Sequence, residues 1–248
     1  LYSKDKLTIN EEKPEEIDAK TKELISYYQH KESAKKSIYG KNKSGKYIDI
    51  NDAKIYYEEY GQGEPLIFLH GNNGSIEDFY QQIPFFAKHY RVIVVDTRGQ
   101  GRSTDLTNTP YTYEEFANDL FQVIQKLNLK KVNLVGWSDG GNTALIFNVQ
   151  HSELVNKIII IGAVLNPNGV SKELIENLKS LANKPSENAN LRLIELMLNE
   201  PNITKSELNK IQNPVLVIAG EKDEVKEIHT KEIQQNISKA ELLIIPNS

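Results

Sequence analysis

Val132-Asn133-Leu134-Val135-Gly136-Trp137-Ser138-Asp139-Gly140-Gly141 is the stretch whose reading decides the fold. A short apolar run stops at Gly136, one hydroxyl residue follows, and Asn142-Thr143-Ala144-Leu145 continues in a helix-compatible pattern. The G-x-S-x-G spacing is that of a nucleophile elbow, a sharp strand-to-helix turn with the serine at its apex. Gly136 and Gly140 flank Ser138 where the backbone has to pass its neighbours closely, without Cβ atoms in the way. A helix that begins at the serine aims its free amides there, which suits negative charge developing on an oxygen. The competing reading of Ser138 is a plain turn or N-cap residue.

Outward from this stretch, residues 65–69, 91–95, 132–135 and 157–161 read as short, nearly all-apolar strands, joined further on by 214–219 and 240–245. Residues 46–50 and 53–60 pair around Asn51-Asp52 as a hairpin. Helical patterns at 75–88, 113–127 and 142–151 lie between the strands, the second with a stripe of Phe116, Leu120, Val123, Ile124 and Leu127. Continuous apolar strands alternating with helices predict an α/β fold, a mostly parallel sheet with helices on both faces. Asn166-Pro167-Asn168-Gly169 then turns the chain into helical patches at 171–181 and 190–198, which predicts a short helical cap over about 167–210. Residues 1–45 form a charged extension, with a helix expected over 14–39. It starts at Pro14, Glu15, Glu16 and Asp18, and Ile17, Leu24, Ile25 and Tyr28 make a thin apolar stripe. That helix reads as a solvated helix packed by one edge on the core, or as a membrane-proximal stalk or partner-binding arm.

Composition excludes several classes of function. A net charge of -4 over 248 residues offers no electrostatic case for nucleic acid. The absence of cysteine rules out thiol chemistry, disulfides and thiolate metal sites. No run of these residues approaches 18 apolar positions, so no transmembrane span is expected in them. Compartment, cytoplasmic or extracellular, and oligomeric state stay open.

Ligands of open α/β sheets bind outside the carboxyl ends of the strands, and four such ends carry suggestive residues. At His70-Gly71-Asn72-Asn73-Gly74-Ser75, the backbone N–H of Asn72 is the best second donor beside the amide of Asp139. His70 reads as a loop-ordering residue rather than a base. In the loop from Asp96 to Ser103, Asp96 is expected to be tied by Arg98 or Arg102, with anion binding by these arginines as the alternative. The G-x-G there lacks the continuation of a dinucleotide fingerprint. In Gly220-Glu221-Lys222-Asp223-Glu224, Asp223 is the carboxylate chosen to orient an imidazole, with Glu221 and Glu224 as alternatives. The fourth end is Ile245-Pro246-Asn247-Ser248. None of the five histidines makes a convincing base: His30 lies in the extension, His89 enters a strand, His151 ends the helix after the elbow, and His229 is expected on a helix surface.

These motifs, in this order, resemble the alpha/beta-hydrolase superfamily from about Lys46 to Ser248. The likeness is to its compact bacterial branch of small esterases, proline-iminopeptidase-like proteins and carbon–carbon bond hydrolases. The resemblance implies Ser138 as nucleophile, Asp223 as acid, and the backbone amides of Asn72 and Asp139 as the oxyanion hole. It implies no cofactor and no metal, and a small-molecule acyl substrate, an ester first. An aminopeptidase, a carbon–carbon bond hydrolase and a non-catalytic binding protein on the same fold are the alternatives. The family's histidine normally follows the last strand, so it is expected shortly after Ser248, with the C-terminal end missing; the alternative is a protein without that base. An upstream signal or anchor segment is the corresponding expectation at Leu1. Leu178, Leu191, Leu193, Ile194 and Met197 are expected as pocket lining or cap core, and Trp137 as packing under the elbow or lining the pocket. Glu187, Glu195 and Glu200 are the acids an amine-binding cap would use.

Overall fold

A computed structural model describes residues 19–184 and 190–248. The expected helix start at Pro14, Ile17 of its stripe and the cap residue Glu187 lie outside the described residues. The chain divides into two compact units, Leu1–Ser37 and Ile38–Ser248. In the first, α1 runs Ala19–Lys36 and ends on Lys35 and Lys36, cations that suit the negative pole of a helix. Its Ile25 and Tyr28 are 41% and 59% exposed, so these two stripe residues bury little apolar surface. No helix among the described residues is long and apolar enough to cross a membrane.

The second unit starts ahead of residue 46, because residues 40–42 are bonded into it. Gly40 N–H donates to the Tyr60 hydroxyl (3.0 Å) and Asn42 N–H to Glu58 (2.9 Å). Its strands are β1 Lys46–Ile50, β2 Ala53–Tyr60, β3 Glu64–Leu69, β4 Tyr90–Val95, β5 Val132–Trp137, β6 Val155–Ile161, β7 Val215–Gly220 and β8 Ala240–Ile245. They form one sheet in the order β1-β2-β4-β3-β5-β6-β7-β8. The β1–β2 and β2–β4 pairs are antiparallel and the others parallel. Asn51 takes a positive φ of 40° at the hairpin, a conformation asparagine tolerates better than most residues.

The chain runs from β3 outward to β4 and then crosses back to β5 on the other side of β3. The loops after β3 and β5 therefore leave the sheet beside a topological switch point, where a crevice opens. Period-2 alternation divides the strands between two cores: Ile67 and Leu69 join the cluster that includes Ile160, Val217 and Phe147, while Leu66 and Phe68 pack with Ile76, Phe79 and Ile83.

The helices of this unit are α2 Gln82–Phe86, α3 Tyr113–Lys126, α4 Asp139–Gln150, α5 Lys172–Asn183, α6 Leu191–Asn199, α7 Lys205–Leu208 and α8 Glu227–Asn236. Thr112 caps α3 by accepting from Glu115 N–H, and Phe116, Leu120, Val123 and Ile124 are its buried face. The single helix expected over 75–88 is instead a 3-10 turn, Ile76–Phe79, followed by α2. A continuous helix would place Pro84 in its interior, where the ring meets the carbonyl four residues back; starting again at Gln82 puts Pro84 in a first turn, which tolerates it. Residues 167–210 carry α5, α6 and α7 between β6 and β7.

The Asp96 loop corrects one expectation. Neither guanidinium ties Asp96; its carboxylate accepts from the backbone N–H of Ile76 (2.8 Å) and of Arg102 (2.7 Å). Arg98 forks onto Asp119 (2.7 and 2.8 Å) and also reaches Asp52 (2.7 Å) and Asp105 (3.2 Å). Arg102 reaches Glu58 (3.0 Å) and Glu77 (3.3 Å). Anion binding is corrected by the same contacts, since both arginines are already paired with carboxylates of the chain. The reason is burial: Asp96 sits so deep that fixed amides are its neighbours, while the acids of the flanking elements capture the cations.

Candidate active site

At the junction of β5 and α4, Ser138 has φ 53° and ψ −116°, outside the regions a non-glycine residue ordinarily occupies. The turn is held by its surroundings. Ser138 N–H donates to Ile161 (2.7 Å), and its carbonyl accepts from the amides of Gly141 (2.8 Å) and Asn142 (3.1 Å). The two motif glycines are needed for contact. A Cβ on Gly136 would lie 2.2 Å from the carbonyl oxygen of Gly140, and one on Gly140 would lie 2.1 Å from that of Leu69. Because those obstacles are backbone, Gly140→Ala must push α4 away from β3. It is expected to cost about 1–3 kcal/mol, the usual range for overpacking, read as a lower urea midpoint at unchanged m-value.

The loop after β3 presses against this elbow. A Cβ on Gly71 would come within 3.3 Å of both Ser138 Cβ and Trp137 Cε3. His70 orders the loop from beneath: its Nδ1 lies 2.8 Å from the Gly71 carbonyl, and its Nε2 accepts from Thr97 N–H at 3.0 Å. That pairing occupies both ring nitrogens and requires the Nδ1-protonated neutral ring. The Asn72 side chain donates to Asp139 Oδ2 (2.8 Å) and to the Leu193 carbonyl (3.2 Å). Asp139 Oδ1 accepts from the Tyr113 hydroxyl at 2.7 Å. Burial pushes the Asp139 carboxyl upward, against the hydrogen bonds from Tyr113 and Asn72 that favour its charged form.

Ser138, Asp139 and Asp223 line one cavity of about 280 Å³. Asn72 is brought to it through its bond to Asp139. Asp223 Oδ1 accepts from Val225 N–H (2.9 Å), and Oδ2 faces Gly220 N–H at 3.4 Å. Of the alternatives, Glu221 is exposed and accepts from Asn247 N–H (2.9 Å), away from the cavity. Glu224 is exposed, lines the cavity and bonds the Ser171 hydroxyl.

The apolar lining differs from the expected set. It comes from Val164, Val170, Leu174, Val225 and Met197. Leu178, Leu193 and Ile194 are buried, Leu193 within the main core, and Leu191 is 37% exposed, so among these five residues only Met197 lines the cavity. Helical phase does not separate them, since Met197 shares a face with Leu193 and Ile194, one turn back; the difference is depth, with Leu193 and Ile194 buried and Met197 half-buried at the cavity. Trp137 is 44% exposed and borders the cavity. Glu195 is exposed, whereas Glu200 lines the cavity and accepts from Tyr113 N–H (3.0 Å). Tyr113, read from the sequence only as a helix start, is a wall of the cavity, and no local pattern connects it to Asp139.

His229 is also corrected. It does not face the helix surface; it is 9% exposed on the buried face of α8 with Thr230 and Ile233, and its Nδ1 lies 3.4 Å from Leu165 N–H. Burial lowers its pKa from the ordinary 6.5. A histidine depressed in the folded state contributes stability above its unfolded pKa that is lost as pH falls. Unfolding free energy is therefore expected to drop just below pH 6.5, a step that His229→Gln should flatten in urea titrations. His151 stacks on Phe121 with ring centroids 4.3 Å apart, at the far end of α4.

Residues 64–196, more than half of the chain, match the family model described as the alpha/beta hydrolase fold. The chain belongs to that family. It is 34% identical over 142 residues to 2-hydroxy-6-oxo-6-(2'-aminophenyl)hexa-2,4-dienoic acid hydrolase of Metapseudomonas resinovorans, covering 56% of this chain and 47% of the relative. The chain thus spans about half the length of that relative. It is 28% identical to human serine hydrolase BPHL, over 85% of this chain and 81% of that protein. Among solved structures it is similar to an N-acyl homoserine lactone degrading enzyme, with a TM-score of 0.67, 28% identity, and coverage of 82% of this chain and 92% of the other.

Proposed function

We propose that the protein is a serine hydrolase that cleaves a small ester or related acyl compound through an acyl-enzyme. The observation that carries this reading is the elbow itself, with Ser138 at φ 53° on the first turn of α4 and above a cavity that Asp223 also lines. In the proposed reaction, Ser138 Oγ attacks the carbonyl carbon and its proton passes to a histidine. The amides of Asn72 and Asp139 hold the oxyanion. The protonated imidazole gives its proton to the leaving alkoxide, and water then releases the acid by the same route.

The acid is Asp223 and the base is proposed to lie among residues following Ser248. The support is positional. The Ser248 carbonyl accepts from Lys222 N–H at 2.6 Å, which holds Ser248 against the loop that carries Asp223. The cavity's size and its wall of Val164, Val170, Leu174 and Met197 suit a short apolar acyl group. The likeness to a lactone degrading enzyme supports an ester-type bond, a lactone being a cyclic ester. A second reading is an amine-bearing acyl compound, favoured by the carboxylates of Glu200 and Glu224 in the lining. Turnover of p-nitrophenyl esters of graded chain length, wild type against Ser138→Ala, tests the proposal. A folded protein that turns over no acyl compound would favour a binding role on this fold.

A further inference from the structure

Both ends of the cap helix α6 are bonded to residues that hold one carboxylate. At its first turn, the Leu193 carbonyl accepts from Asn72 Nδ2, and the same amide group donates to Asp139 Oδ2. At its other end, the cap residue Glu200 accepts from the backbone N–H of Tyr113, whose hydroxyl donates to Asp139 Oδ1. The path closes: α6, Asn72, Asp139, Tyr113, Glu200 and back to α6. Its members come from the loop after β3 and from the first residues of α4 and α3, segments with no local reason to meet.

We propose that Asp139 is a positioning residue that locks the cap helix α6 and the loop carrying the Asn72 amide into one hydrogen-bonded unit, so that movement of the cap is transmitted to the oxyanion site. The inference deepens the acyl-transfer reading and rests on it for its kinetic consequence. Each oxygen of Asp139 accepts from one arm of the ring, and a carboxylate is the side chain that can accept on both sides at once. An amide in its place turns one acceptor into a donor and opens the ring on that side. Asp139 is buried, so a bond lost on either arm carries the cost of an unmet buried polar group. The α6 end has a further anchor independent of Asp139: Arg192 pairs with Asp105 (2.6 Å) and lies 3.6 Å over the Tyr111 ring. Opening the ring should therefore loosen the cap without releasing it.

The test uses Asp139→Asn, Tyr113→Phe and Asn72→Ala, each followed by hydrogen–deuterium exchange and by ester kinetics. Tyr113→Phe is the discriminating variant, because the hydroxyl it removes touches Asp139 and not α6, while the backbone bond to Glu200 remains. The expected result is a roughly tenfold faster exchange in both 71–75 and 191–199 for Tyr113→Phe and Asp139→Asn. It should be accompanied by a fall in kcat of about 10²-fold, the scale of losing one oxyanion donor, with KM nearly unchanged. Asn72→Ala combined with Tyr113→Phe should fall short of the product of the single losses, as expected for residues acting through one unit. Unchanged exchange at 191–199 in both Tyr113→Phe and Asn72→Ala would overturn the coupling, even if Asp139→Asn failed to fold. Should the wild type hydrolyse no ester, the hydrolase reading falls while the exchange measurements still decide the coupling.

Discussion

Ser138→Ala is expected to lower turnover of p-nitrophenyl esters by about 10⁴-fold or more, the scale seen when a triad nucleophile is removed. The substitution deletes the Oγ proposed to form the acyl bond and leaves the elbow in place. The bonds that hold the turn are all backbone: Ser138 N–H to Ile161, and the Ser138 carbonyl to Gly141 and Asn142. Alanine meets the same steric cost at φ 53° that serine does, so stability should be nearly unaffected. The measurement is initial rate against chain length, with a thermal melt of each protein as control. If Ser138→Ala kept wild-type turnover, the acyl-enzyme mechanism would be wrong.

Arg98→Ala should be the most destabilising of the substitutions considered, by about 3–5 kcal/mol, the cost of leaving a buried charge without its partner. The Arg98 side chain is 3% exposed and its four acidic neighbours come from the β1–β2 turn (Asp52), its own loop (Asp105) and α3 (Glu115, Asp119). Removing it leaves the carboxylates of Asp105 and Asp119 facing each other in a site that water reaches poorly. The pH dependence has a definite sign. Burial already pushes the Asp119 carboxyl above its usual 3.8, with the Arg98 guanidinium beside it holding it down. Without the guanidinium its folded pKa rises further, and the folded state then binds protons more tightly than the unfolded state. Stability of the variant therefore falls as pH rises through that raised pKa. Urea unfolding should show a larger deficit at pH 7 than near pH 4; a deficit independent of pH would mean that the charges are not its cause.

The hydrolase fold was legible because its signals are local. Strands β3 to β7 are short apolar runs, the pattern of strands inside a sheet with helices on both faces, whereas β8 is apolar but leaves Leu243 and Ile245 exposed. Turn residues such as Asn51 and the glycines of the elbow mark where the backbone departs from regular geometry. The break after Ile76–Phe79 has a local sign as well, since Pro84 is unsuited to the interior of a helix over 75–88. The burial of His229 has no such local sign, because α8 is polar along most of its length and the side chain's burial depends on what it packs against.

From the order of residues alone come the strands, the elbow around Ser138, the loop glycines and the strand-end loop that carries Asp223, each specified by neighbours within a few positions. Tertiary structure alone decides which side chains meet: that Asp96 is held by amides, that Met197 but not Leu193 faces the cavity, and that Asn72, Asp139, Tyr113 and Glu200 join in one ring. Those contacts link residues separated by as many as 121 positions. A hydrogen bond over that distance leaves no periodicity or spacing in the sequence, because its geometry exists only once the sheet has brought the strand ends together.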